Sequence, residues 1–125
     1  MRGPHSSMNA NLDCYLKPYR RRWDLTQTEL AKLLGYEAGA VVSRFERGLR
    51  DPSLENAYAL EIILGVPSAE LFSSLYERVK REVIARARAR YDDLQGDPSK
   101  ATRLKLDFFE EVFARADERA SSKIV

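Results

Sequence analysis

Few residues in this chain can do covalent chemistry. There is one histidine, His5, and one cysteine, Cys14. No nucleophile–base pair is evident, no glycine-rich loop is set to cradle a phosphate, and no metal-ligand set stands out. Neither an enzyme nor a cofactor or metal is expected. The residues that offer another chemistry lie in TQTELAKLLGYEAGAVVSRFERG, residues 26–48. This stretch reads as two short helices with a glycine between them. The exposed positions of the second helix supply Arg44, Arg47 and Ser43, among an unusual cluster of alanine and glycine. Guanidinium forks pair with phosphates or with the edge of a guanine. The set therefore points to nucleic acid, but it is thin for reading a base sequence.

The charge distribution agrees with that reading. Residues 1–50 hold nine Lys and Arg against five Asp and Glu, whereas residues 51–125 hold twelve against fourteen. The half that carries the quoted stretch is the basic half, a mild bias that suits a polyanion. At 125 residues the chain can form one domain, or a small domain with an extension. A lone cysteine excludes an intrachain disulfide, and Cys14 is expected to act as a small apolar side chain. The segment MRGPHSSM ahead of a second start at Met8 reads as tag-like, so residues 1–11 are expected to be a flexible tail. No apolar run reaches the roughly 18–20 residues of a membrane span, and the N-terminus lacks the apolar centre of a signal peptide. A cytoplasmic protein with no membrane partner is expected.

The elements that must position these residues are helical nearly throughout. Leu12, Leu16, Tyr19 and Trp23 fall on one face of a first helix. It starts either at Asp13, with Pro18 kinking it, or near Lys17, with Pro18 harmless at the first position. Thr26-Gln-Thr-Glu29 is a capping box for the second helix, whose buried face is expected at Leu30, Leu33 and Leu34, with Ala31 leaving room for a close neighbour. Gly35 ends that helix, and a third follows with Val42 and Phe45 inward until Gly48. Asp51-Pro52-Ser53 opens a fourth, with Leu54, Ala57, Tyr58 and Leu60 to Leu64 apolar, stopped by Gly65. A fifth begins at Pro67-Ser68 and is expected to run on through Phe72, Leu75, Tyr76, Val79, Val83, Ala87, Tyr91 and Leu94 without a break. Gly96-Asp97-Pro98 ends that stripe. A last amphipathic helix carries Leu104, Phe108, Phe109, Val112, Phe113 and Ala116, with fraying expected from Ser121.

Arg20, Leu25-Thr26-Gln27, Glu29-Leu30-Ala31, Leu34-Gly35, Ser43-Arg44-Phe45-Glu46-Arg47-Gly48, Pro52-Ser53-Leu54 and Leu64-Gly65-Val66 with Leu71-Phe72 together resemble the Cro/C1-type (XRE) helix-turn-helix regulators. The resemblance covers about residues 12–72 and implies a five-helix, lambda-repressor-like DNA-binding domain. It implies that the third helix enters the major groove while the second crosses the backbone. By the same resemblance Gln27 and Thr28, at the start of the second helix, contact phosphate. Arg44 reaches a guanine, Ser43 donates to a base or phosphate, and Arg47 and Arg50 lie near phosphate. Arg20 and Glu46 correspond to a structural ion pair and are not DNA ligands. The spacing from Gly35 to Glu46 is one residue longer than the family's pattern. Counting back from Glu46 places Gly39, Ala40 and Val41 where base readers usually stand. None of the three has a side chain that hydrogen-bonds a base. They can allow close backbone approach or, for Ala40 and Val41, touch a thymine methyl. Further specificity then rests on DNA shape. Glu37 repels phosphate and is expected to face away or to accept from a cytosine amine.

Residues 73–121 are expected to form a C-terminal helical hairpin. Residues 78–90 hold six basic side chains and one acidic, and residues 92–118 hold eight acidic against four basic. Opposite charge invites antiparallel pairing, within one chain or between two. The sequence thus leads to an all-α regulator of transcription, acting as a homodimer on double-stranded operator DNA and blocking or recruiting polymerase. The arm is a candidate dimerisation surface. The alternative is an antitoxin-like module whose hairpin binds a partner protein.

Overall fold

The computed structural model describes residues 14–124, with side chains through Glu118. The expectations for Leu12, Asp13, His5 and the tail at 1–11 fall outside the described residues. Seven helices and no strand are present among the described residues, so the chain is all-α. They are α1 (Leu16–Arg22), α2 (Gln27–Leu33), α3 (Ala40–Glu46), α4 (Leu54–Leu64), α5 (Ser68–Leu71), α6 (Ser73–Asp93) and α7 (Lys100–Ile124). None is long and apolar enough to cross a membrane.

The chain divides into two compact units, one ending at Glu77 and the other beginning at Arg78. The division comes a few residues later than the expected end at Phe72, because Leu75 still packs on the first unit's core. That core is built from Leu16, Leu30, Ala31, Val42, Phe45, Leu60 and Leu71, each essentially without exposure. Cys14 is buried among them, as a small apolar residue would be. Phe45 and Phe72 meet edge to face with ring centroids 6.1 Å apart.

Local chemistry sets the helix ends. Helix α1 starts at Leu16, between the two starts that the sequence left open. Pro18 therefore sits in the first turn, where no intrahelical donor is needed, and no hydrogen bond is lost. The box at α2 is complete: the Glu29 amide donates to Thr26 Oγ1 at 3.0 Å, and the Thr26 amide donates to Glu29 Oε1 at 2.8 Å. Ser53 Oγ accepts from the Asn56 amide to start α4, and Gly65 ends that helix in the left-handed region at φ +71°. Tyr15 N donates to Leu71 O at 2.8 Å, closing the first unit. The Tyr19 hydroxyl donates to the Glu70 carboxylate, and this bond raises the tyrosine pKa.

Several apolar residues are not where the repeat placed them. Trp23 follows the end of α1 and is 66% exposed. Leu33 is also exposed, because α2 spends its buried stripe on Leu30 and Ala31. The expected continuous fifth helix is broken at Phe72, which turns to φ −118°, ψ 57° and buries its ring. At the far end, backbone helix continues through Ile124, past the expected fraying at Ser121. No glycine or proline follows Pro98 to interrupt it.

In the second unit α6 and α7 lie side by side within one chain. Tyr91 OH donates to Glu110 Oε2 at 2.6 Å, which raises its pKa, and the Tyr91 and Phe113 rings meet edge to face at 5.8 Å. Ala87, Leu94 and Thr102 are buried here. Gly96, at φ +90°, makes the turn. Asp97 Oδ1 then accepts from the Ser99 amide, which lowers the aspartate's pKa, and Ser99 Oγ accepts from the Thr102 amide to start α7.

Candidate nucleic-acid interface

Helices α2 and α3 are joined by a turn with three anchors. Gly35 leaves α2 at φ +97°, and the Tyr36 amide donates back to Ala31 O at 2.9 Å. The Tyr36 ring packs on the core, and its hydroxyl accepts from Asn56 Nδ2 at 3.1 Å. Glu37 and Ala38 then bulge into solvent. Helix α3 then starts at Ala40.

Glu46 holds the three helices together. Its Oε2 accepts from Arg20 Nε at 2.6 Å, and its Oε1 accepts from Arg20 Nη2 at 3.2 Å and from Gln27 Nε2 at 3.0 Å. The third guanidinium nitrogen, Arg20 Nη1, donates to Leu25 O at 2.7 Å. The Arg20 and Glu46 side chains are only 9% and 3% exposed. Every nitrogen of the fork has an acceptor. This bidentate, charge-assisted geometry is what lets a buried ion pair offset its desolvation.

Along α3 the exposure pattern is simple. Ala40, Arg44 and Arg47 are exposed, Ser43 is half-buried, and Val41, Val42, Phe45 and Glu46 are buried. One stripe at helical spacing therefore faces solvent, with Ala40 at its start and two arginines beyond. Arg50, in the following turn, is exposed and lies over the Phe45 ring at 5.8 Å. Thr28 is exposed and Gln27 half-buried at the start of α2.

Three of the expected ligands have surroundings that the spacing did not show. Val41 is 4% exposed and belongs to the core, because α3 buries two consecutive valines against the other helices. It has no surface to offer a thymine methyl. Gly39 precedes the exposed stripe and lies close against α2. A Cβ there would lie 3.0 Å from Thr28 N and 3.1 Å from Gln27 C. Gln27 has committed one of its two amide N–H donors to Glu46, leaving one for any other acceptor.

The Gly39 contact has a measurable consequence. At φ −78°, ψ −1° the backbone would accept alanine, which on chain entropy alone stabilises by about 0.4–1 kcal/mol. The clash is with backbone atoms, and overpacking of this kind costs about 1–3 kcal/mol. Gly39→Ala is expected to lower stability by about 1 kcal/mol or more in urea unfolding. A more stable variant would mean that α2 and α3 can part without cost.

One feature escaped the sequence reading. Leu54, Tyr58 and Ile62, read only as apolar positions of the fourth helix, are 67%, 58% and 82% exposed and form a second apolar stripe on α4, away from the buried Leu60 and Leu64. Their spacing of four was the available signal. The stripe runs between Glu55 and Glu61, and a helix with a second apolar stripe is normally covered there too.

Comparison with known proteins adds two findings. Residues 17–71 match the Helix-turn-helix family, and that match stops ahead of α6. The chain is also 39% identical, over 62 residues, to an uncharacterized HTH-type transcriptional regulator of Methanocaldococcus jannaschii, a match spanning 50% of this chain and 89% of the relative. No solved structure matches.

Proposed function

The chain belongs to the helix-turn-helix family, and from that premise we propose that it is a transcriptional regulator that binds operator DNA through the major groove as a homodimer. The observation that carries this reading is the solvent-facing stripe of α3, Ala40, Arg44 and Arg47, on a helix whose other side is buried. Arg44 pairs with a guanine edge, and Ala40 meets a thymine methyl. Ser43, Thr28, Arg47, Arg50 and the remaining N–H of Gln27 hold phosphates and fix the register. With so few base readers, DNA shape supplies the rest of the specificity. Bound at a promoter, the protein blocks or recruits polymerase.

Selection of the purified protein on a random duplex library, at about physiological salt where nonspecific phosphate binding is weak, tests this. The expected result is a palindromic consensus with a guanine in each half-site. No enrichment at all would overturn the reading.

A two-fold consensus needs a two-fold protein. The stripe Leu54, Tyr58 and Ile62 supports a second copy on α4, since an antiparallel contact centred on Tyr58 places Leu54 of one copy on Ile62 of the other. Ile62→Asp is expected to weaken the dimer at least about tenfold in sedimentation, with helicity unchanged because the residue is so exposed. An intact dimer would shift the interface to the hairpin arm.

A further inference from the structure

The hairpin of α6 and α7 has two sides of different chemistry. Each helical residue turns about 100°, and in an antiparallel pair the corresponding flanks of both helices fall on one side. Observed contacts fix which side is which. A shallow groove is lined by Arg81, Ile84 and Arg88 of α6 and by Ala116 and Asp117 of α7. The Arg88 guanidinium sits 4.1 Å over the Phe113 ring, and Tyr91 donates to Glu110 on the same side. Here cations and carboxylates are mixed.

The other side differs. Turning the opposite way from the groove, α6 carries Val79, Val83, Arg86 and Arg90, and α7 carries Lys105, Phe108, Val112 and Arg115. Val79, Val83 and Phe108 are 44%, 43% and 55% exposed. Among the described residues Arg86 and Arg90 form no ion pair, and Arg115 has only an exposed 3.9 Å contact with Glu111 in its own helix. The carboxylates of α7 at Asp107, Glu110, Glu111, Asp117 and Glu118 turn toward the groove or the back of the helix. On α6, Glu82 and Asp93 stand farther toward the back than Arg86 and Arg90, so the face is apolar in its middle with the arginines at its edges.

We propose that this face is a docking surface for an acidic amphipathic segment of another protein, with apolar side chains along one stripe and carboxylates beside it. Charge decides against the other occupants. Two copies placed face to face would set arginine against arginine. A nucleic-acid backbone would satisfy the arginines but leave Val79, Val83 and Phe108 in water. An acidic helix satisfies both, with the apolar strip supplying affinity and the arginines supplying orientation. The face lies outside residues 17–71, and the inference does not depend on how α3 meets DNA.

The test uses the full chain and two labelled synthetic helical peptides, followed by fluorescence anisotropy. One peptide has leucines along one stripe flanked by glutamates, and the other has lysines in place of the glutamates. The glutamate peptide is expected to bind at least about tenfold more tightly at physiological salt. Phe108→Ser, and separately Arg86→Glu with Arg90→Glu, should each weaken that binding at least about tenfold while helicity and Arg44-dependent DNA affinity stay unchanged. Equal binding of the two peptides, no binding of either, or no loss in either variant would overturn the proposal. So would loss of duplex DNA affinity in the charge-reversed variant with peptide binding intact, which would make the face a phosphate surface. A dimer broken by Phe108→Ser but not by Ile62→Asp would make it a self-interface and overturn it equally.

Discussion

Glu46→Ala is expected to cost about 3–5 kcal/mol of stability, enough to unfold a marginal domain at growth temperature. The reason is what the substitution leaves behind. The Arg20 guanidinium stays at 9% exposure with its Nε and Nη2 unpaired, and Gln27 Nε2 loses its acceptor as well. A buried charge with no partner costs far more than the pair itself contributes. The control is the double variant Arg20→Met with Glu46→Leu. It removes both charges and fills similar volume, and it should recover much of the loss. Recovery should fall short of complete, because Leu25 O and the Gln27 amide still lack their partners. Urea unfolding of the wild type, both single variants and the double variant measures this directly. A Glu46→Ala loss below about 1 kcal/mol would show that water reaches the pair and that its geometry matters little.

Arg44→Ala is expected to weaken specific DNA binding by about 1–3 kcal/mol, and to do so most for sites with the preferred guanine. Arg44→Lys keeps the charge but not the two-pronged fork, so it should lose base preference while keeping most nonspecific affinity. Arg47→Ala offers the contrast. As a phosphate contact it should weaken all sequences alike and reduce the slope of binding against salt by about one. Competition binding on the consensus and on single-base variants separates the two. Uniform loss for Arg44→Ala would assign it to phosphate, leaving Ala40 as the main base contact on α3.

Local signals were the legible part of this fold. The capping box at Thr26, the glycine at 35 and the breaks at Gly65 and Gly96 all depend on a few neighbouring residues, and each marks an observed helix end. The Arg20 and Glu46 correspondence was legible through resemblance alone, since nothing in a one-dimensional spacing brings those two side chains within 2.6 Å. What the sequence hid depends on which of two apolar stripes meets the core. Helix α4 has Leu60 and Leu64 on one face and Leu54, Tyr58 and Ile62 on another, and periodicity does not rank them. Phe72 continues a helical stripe in sequence, yet its ring is drawn against Phe45, and the backbone breaks there. Gly39 was the subtlest. Its missing side chain reads in sequence as room for DNA, whereas the 3.0 Å between an added Cβ and Thr28 N shows that α2 also lies close there.

The hydrogen bond from Tyr15 N to Leu71 O has a consequence for synthesis. The first helix is made early, but its closing partner and the core residues Leu71, Phe72 and Leu75 are translated last in that unit. A nascent chain can assemble α1, α2 and α3 around Arg20 and Glu46, yet the start of α1 lacks its Leu71 partner, and the core lacks Phe72 and Leu75, until those residues have left the ribosome. The slow, long-range step of folding thus comes at the end of the domain. Expression of a fragment cut before that residue should give a loose, protease-sensitive product, whereas one ending at Glu77 retains the whole closure.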